Sequence, residues 1–188
     1  KNMSSLKQHI GYLIDLFYPR ICLICGRALQ SHEKHLCMYC IQNIPRTQFH
    51  SHSEDNIMEH LFRGKVQIEK AVAFFYFTHH GDYRHLIHQI KYRGEKECAR
   101  YLGEIYAREL GAEFFTDIDL LVPVPLHPKR LRKRGYNQSE WIAMGISDFT
   151  GKDIDRYLIH RCGTSETQTN KGIYKRWENT QNIFTLGN

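Results

Sequence analysis

The 188-residue sequence predicts an α/β domain built on a parallel sheet, carrying a small cysteine-rich module on its N-terminal side. Three observations predict this. Short apolar runs alternate with stretches of helical periodicity, the pattern of a parallel sheet flanked by helices. Four cysteines fall in two pairs, Cys22-Leu-Ile-Cys25 and Cys37-Met-Tyr-Cys40. Hydrophobic content of 41% and charged content of 24% are those of an ordinary globular protein, and the length leaves room for one core plus an appendage. No stretch repeats at a fixed period and no tract is of low complexity.

The elements follow in order. Leu6, Ile10, Leu13, Ile14 and Phe17 recur at helical spacing and predict a helix over 4–17, which Pro19 ends. The cysteine module runs to about Pro45, and a His- and Ser-rich stretch from Thr47 to Asn56 reads as a linker. Ile57, Met58, Leu61 and Phe62 predict a short helix stopped by Gly64. Ala71–Phe77 is an aromatic-rich apolar run, as for a strand buried on both faces. Two helices are expected next, one carrying Leu86, Ile87 and Ile90, the other Ala99, Leu102, Ile105 and Tyr106 with Gly111 as its stop. Asp119–Val124 reads as a second buried strand, 138–149 as a helix, and Tyr157–Ile159 as a third strand. The expected organisation is a module at 1–46, a linker and short helix at 47–65, and the α/β domain at 66–188.

Eleven residues separate the two cysteine pairs. Each CxxC turn can offer two thiolates to one metal, so the spacing points to a tetrahedral structural Zn²⁺ site at Cys22, Cys25, Cys37 and Cys40. His32 and His35, between the pairs, are substitute ligands in the same reading. Disulfides would need an oxidising compartment. No apolar leader and no run near twenty apolar residues is seen, so neither secretion nor a membrane span is supported, and a cytoplasmic location is expected. A thioredoxin-like CxxC should follow a strand and open a helix, which Pro19 and Gly26 suit poorly. Cys98 and Cys162 are expected to be small buried side chains.

The net charge of +6 favours anionic partners such as phosphate esters or nucleic acid, although a generally basic surface would account for it equally. The charge concentrates in the segment after the second strand. Five of the six residues 129–134 are basic: Lys129, Arg130, Arg132, Lys133 and Arg134. Read as a loop, this segment leads from a strand end to a helix start, where Asn137 and Glu140 fit a capping box. Loops at the carboxyl ends of parallel strands gather ligands, helix N-termini attract anions, and arginine can grip phosphate with two parallel hydrogen bonds. Pyrophosphate or a nucleic-acid backbone would suit such a site; the plain alternative is a solvated basic loop. Lys91, Tyr92 and Arg93 end the helix after the first strand, and Gln168, Arg176 and Asn179 lie in a polar stretch near the end of the chain. Both groups could line the same cleft, or simply cap helices and turns.

These residues resemble the ComF family. The resemblance rests on the paired CxxC motifs, Tyr92-Arg-Gly94, Pro123-Val-Pro-Leu with Arg134-Gly-Tyr-Asn-Gln138, and Gln168-Thr169 followed by Arg176, Asn179 and Phe184. It implies a zinc finger joined to a type I phosphoribosyltransferase-like domain, a link to DNA uptake in natural competence, and phosphoribosyl pyrophosphate as ligand, accompanied by Mg²⁺. A competence helicase is the partner that the family suggests. In the family, a strand and an Asp-Asp-x-x-Thr-Thr-Gly-like loop follow the segment matching 179–184. No Asp-Asp pair occurs in this chain, which is expected either to be cut short at its C-terminal end or to have lost that loop, and to lack turnover as it stands.

Two functions remain open on the sequence. One is a phosphoribosyltransferase in which the basic segment holds the leaving pyrophosphate and no general base is identifiable. The other is a binding module for single-stranded DNA or for a helicase, without catalysis, in which Tyr92, Tyr136 and Trp141 offer stacking faces.

Overall fold

The computed structural model describes residues 19–51, 56–77, 81–162 and 183–187. The helix expected over 4–17 lies outside them. The chain divides into two compact units, Lys1–Gln89 and Ile90–Asn188.

In the first unit, Ile21 and Ala28 form an antiparallel bridge around the first CxxC turn, closed by Gly26 N–H donating to Cys22 O at 2.9 Å. Gly26 has φ 71°, the left-handed turn that a side chain would oppose. The second pair opens helix α1, Met38–Gln42, with Cys37 as its N-cap. Leu36, Ile44 and the sulfurs of Cys22, Cys37 and Cys40 fill the small interior. Helix α2, Ile57–Phe62, is capped by Asn56, which accepts from Glu59 N–H at 2.9 Å and donates to Ala71 O at 3.0 Å. Helix α3, Asp82–Tyr92, buries Leu86, and the unit boundary falls within it.

Residues 71–77 correct the expected doubly buried strand. They run half-buried to exposed, and a single antiparallel bridge, Arg46 to Phe75, pairs them. Thr47 N–H donates to Phe74 O and Tyr76 N–H to Pro45 O, so a loop of the cysteine module supplies the partner that a parallel sheet was expected to provide.

The second unit centres on two helices, α4 (Lys96–Leu110) and α6 (Gln138–Thr150). They cross at two glycines. A β-carbon on Gly103 would strike the carbonyl of Ile142, and one on Gly145 would strike the backbone of Arg100 and Glu104. The backbones therefore touch directly, flanked by Cys98, Ala99, Leu102, Ala107 and Ala143, all buried. A two-point Arg100–Asp148 ion pair at 2.6 and 2.7 Å ties the same helices at their surface. Beside them, β1 (Leu120–Leu121) runs parallel to β2 (Asp153–Ile154), while β3 (Ile159–Arg161) pairs antiparallel with β4 (Phe184–Leu186). The described residues are thus mixed α/β with a small parallel sheet. The strand expected at 119–124 shortens to two residues, because Pro123 and Pro125 cannot donate to a ladder.

Candidate functional site

The four paired cysteines converge. Their sulfurs all lie within 4.8 Å of one another, and Cys25 Sγ is 3.7 Å from Cys37 Sγ. Four sulfurs bound tetrahedrally at Zn–S distances of about 2.3 Å would be separated by about 3.8 Å, so the set fits a metal of that size. Backbone N–H groups point at the sulfurs, Cys37 N–H at Cys22 Sγ and Cys40 N–H at Cys37 Sγ, each at 3.4 Å. Burial raises the Cys22 thiol, but N–H groups of Cys25, Cys37 and Ile24 overcome it and bring the value down to about 7. Cys40 is pushed up, by burial first and then by the neighbouring thiols. Thiols this crowded cannot all ionise unless a cation lies among them, which is the chemistry of a metal donor set. These four residues could hold an ion such as Zn²⁺, in a closed all-protein set suited to a structural role. His32 and His35 are not in the cluster.

Two supporting groups escape sequence reading. Glu33 is buried, and its carboxylate accepts from Gln30 N–H at 2.8 Å and Met38 N–H at 2.7 Å, with Arg27 3.8 Å away. Those N–H groups hold it below the usual carboxylate range. Glu33 thereby fixes the start of α1, and so the second cysteine pair, against the turn before it. Tyr83 donates to Cys40 O at 2.9 Å, tying α3 to the same pair.

The basic segment is not an open loop. Pro128–Arg134 forms helix α5, with His127 as N-cap, Pro128 in its first turn and Gly135 closing it at φ 83°. Proline at the first position, a run of Lys and Arg, and glycine just past the end all favour a helix. Lys129, Arg130, Arg132 and Lys133 are exposed. Arg134 is half-buried, bonded to Gln138 Oε1 and placed 5.6 Å from the ring of Tyr92. Tyr92 and Arg93 are exposed and Lys91 is half-buried. Tyr136 does not display a stacking face: it is 8% exposed and donates to Ile90 O. Trp141 meets its edge at 6.5 Å and carries Lys96 Nζ 4.7 Å from its own ring. Gln168, Arg176 and Asn179 lie outside the described residues.

The cap of α6 differs in part from the expected box. Asn137 accepts from Ser139 N–H at 3.1 Å, but Glu140 turns away to pair with Arg156 at 2.8 Å. Asn137 also donates to Val124 O at 3.0 Å, which pins the exit of β1 to the start of α6. Cys98 is buried as expected, whereas Cys162 is exposed, with Sγ 3.0 Å from Thr185 Oγ1.

DNA utilization protein YhgH of Escherichia coli (strain K12) is 30% identical over 174 residues, which cover 88% of this chain and 70% of that protein. This chain belongs to the YhgH family. The YhgH protein of Shigella flexneri is 29% identical over the same shares of each chain. That of Salmonella typhi is 31% identical over 105 residues, 54% of this chain and 46% of its own. No family model matches the chain, and no solved structure matches it. No helix among the described residues is long and apolar enough to cross a membrane.

Proposed function

We propose that this chain handles DNA, with α5 as the element that contacts phosphates and the four-cysteine cluster as a zinc-held structural module. The observation that carries this reading is the display of cations on α5, where Lys129, Arg130, Arg132 and Lys133 all face solvent on one short helix. Relatives named for DNA utilization support it. Bound Zn²⁺ would cross-link the two cysteine turns; Glu33 and Tyr83 orient those turns from the protein side. A single strand contacting the four exposed cations of the segment should lose affinity with a log–log salt slope of about −2.8, at about −0.7 per phosphate. That is roughly fiftyfold between 50 and 200 mM salt. Fluorescence anisotropy of a labelled oligothymidylate tests it, and binding that is absent at low salt, or indifferent to salt, defeats the reading.

A second reading is favoured by the position of α5. It follows the carboxyl end of β1, which runs parallel to β2, and ligands of open parallel sheets collect there. In this reading the protein is ComF-like, with a phosphoribosyltransferase-like domain that binds phosphoribosyl pyrophosphate or pyrophosphate, and a competence helicase is its partner. One cationic surface can serve both ligands, because each presents the same phosphate oxygens.

A further inference from the structure

We propose that Cys25 is a modification site, the point at which hydrogen peroxide enters the four-cysteine cluster, and that Cys37 resolves the oxidised sulfur into a Cys25–Cys37 disulfide. The proposal rests on the zinc-held reading of the cluster and is independent of α5.

Accessibility singles out Cys25. Cys22, Cys37 and Cys40 are 1%, 0% and 3% exposed, whereas Cys25 faces solvent. The turn leaves that side open. Gly26 follows at φ 71°, and a β-carbon built on it would meet no atom within 4 Å beyond its chain neighbours. A small oxidant can therefore reach Cys25 before it reaches the other three sulfurs.

A resolving thiol is already in place. Cys37 Sγ lies 3.7 Å from Cys25 Sγ. A disulfide spans about 2.0 Å, so the sulfurs need to close by about 1.7 Å. Cys37 is anchored as the N-cap of α1, its sulfur accepting from Cys40 N–H at 3.4 Å, so Cys25 on the exposed turn is the partner that swings. An accessible cysteine beside a resolving one is the arrangement of an oxidant sensor.

The chemistry balances. The Cys25 thiolate attacks one peroxide oxygen; an S–O bond forms, the O–O bond breaks and hydroxide leaves, giving a sulfenic acid. The Cys37 thiolate then attacks the Cys25 sulfur; the S–S bond forms, the S–O bond breaks and a second hydroxide leaves. Two protons from solvent convert both hydroxides to water. The two sulfurs give up two electrons, which the peroxide takes. Only Cys22 and Cys40 then remain as donors, too few for a tetrahedral set, and the cluster lets its ion go. The new bond links the same two turns that the metal linked. Cys40 O still accepts from Tyr83 at 2.9 Å, which passes the change at the second turn on to α3. In a reducing compartment such a disulfide is transient, which suits a signal.

The full chain, loaded with Zn²⁺, is treated with hydrogen peroxide. Zinc release is read with a chromogenic chelator, and disulfides by tryptic mapping after alkylation of the remaining thiols. Cleavage after Arg27 and Lys34 places Cys22 with Cys25 in one peptide and Cys37 with Cys40 in another. A bond between the turns joins the two peptides, a bond within one CxxC does not, and fragmentation names the cysteines. Zinc release should coincide with the Cys25–Cys37 bond, and a dithiol should restore zinc uptake. C25H keeps a metal donor but removes the oxidisable sulfur, and should lose zinc about tenfold more slowly. C40H keeps both Cys25 and Cys37 and should lose it at the wild-type rate. C162S removes the other exposed thiol and should change nothing. Where a variant does not hold zinc, the wild-type peptide map decides. A first bond within either CxxC overturns the proposal, as does release from C25H at the wild-type rate. Zinc retained through peroxide treatment overturns it too and leaves the zinc reading standing. A wild-type chain that takes up no zinc removes the zinc reading and the proposal with it.

Discussion

Replacing Gly145 with alanine sets two effects of opposite sign against each other. Helix propensity alone predicts a gain, since alanine is better than glycine in a helix interior by about 1 kcal/mol. The crossing of α4 and α6 predicts a loss. The new β-carbon would lie 2.7 Å from Glu104 N and 2.8 Å from the Arg100 carbonyl carbon, and closer still to that carbonyl oxygen, where ordinary contact begins at 3.4 Å. These are backbone atoms inside another helix, so no rotamer change relieves them. The helices must retreat by well over half an ångström, loosening the second glycine contact at Gly103 with them. Overpacking of this kind costs about 1–3 kcal/mol, and a backbone-on-backbone site belongs at or above the upper end. Setting the propensity gain against it leaves a net loss of about 2 kcal/mol. Urea unfolding followed by far-UV circular dichroism should then show a midpoint lowered by roughly 1 M, taking a slope near 2 kcal/mol/M. A midpoint equal to or above wild type would refute the argument, because it would mean that propensity wins and the backbones are not in contact.

Removing the metal with a chelator should expose amides of residues 20–45 to hydrogen exchange while leaving α4 and α6 protected, since metal binding supplies about 10–16 kcal/mol of folding energy in finger peptides. Protection unchanged in that segment would contradict the metal assignment. Glu33→Gln should destabilise the cysteine module, and the pH dependence gives its signature. The folded carboxylate titrates below its unfolded value of about 4.3, so its contribution is fully present above that pH and is lost as pH falls through the folded value. The stability gap between wild type and E33Q should be constant at pH 5–7 and close below about pH 4; a gap that persists in acid would show that the carboxylate is not the source. Replacing Arg130 and Arg134 together with alanine should abolish pyrophosphate binding in calorimetry, and unchanged affinity would end the phosphoribosyl pyrophosphate reading.

What could be read from the sequence was mostly local. The helices at 57–62, 82–92, 96–110 and 138–150 follow from apolar periodicity and from caps such as Gly111 and Asn137, all carried by neighbouring residues. The cysteine cluster was legible for a similar reason: two short turns with fixed spacing fix their own chemistry. Strands depend on distant partners. The 71–77 run has strand composition, yet its partner is the Pro45–Thr47 stretch rather than a parallel neighbour. The basic segment carried helix signals, Pro128 at the start and Gly135 at the end, but its charge pattern suggested a loop. The close glycine crossing and the Glu33 brace are tertiary facts with no local signature.

The bare glycine contact between α4 and α6 leaves no side-chain play in that joint. Arg134, the last residue of α5, is moored to α6 through Gln138, so the basic helix hangs from one unyielding post. A surface mounted this way offers its charges at set spacings, as teeth on a rack, and should reward a ligand for matching their intervals as well as for its total charge.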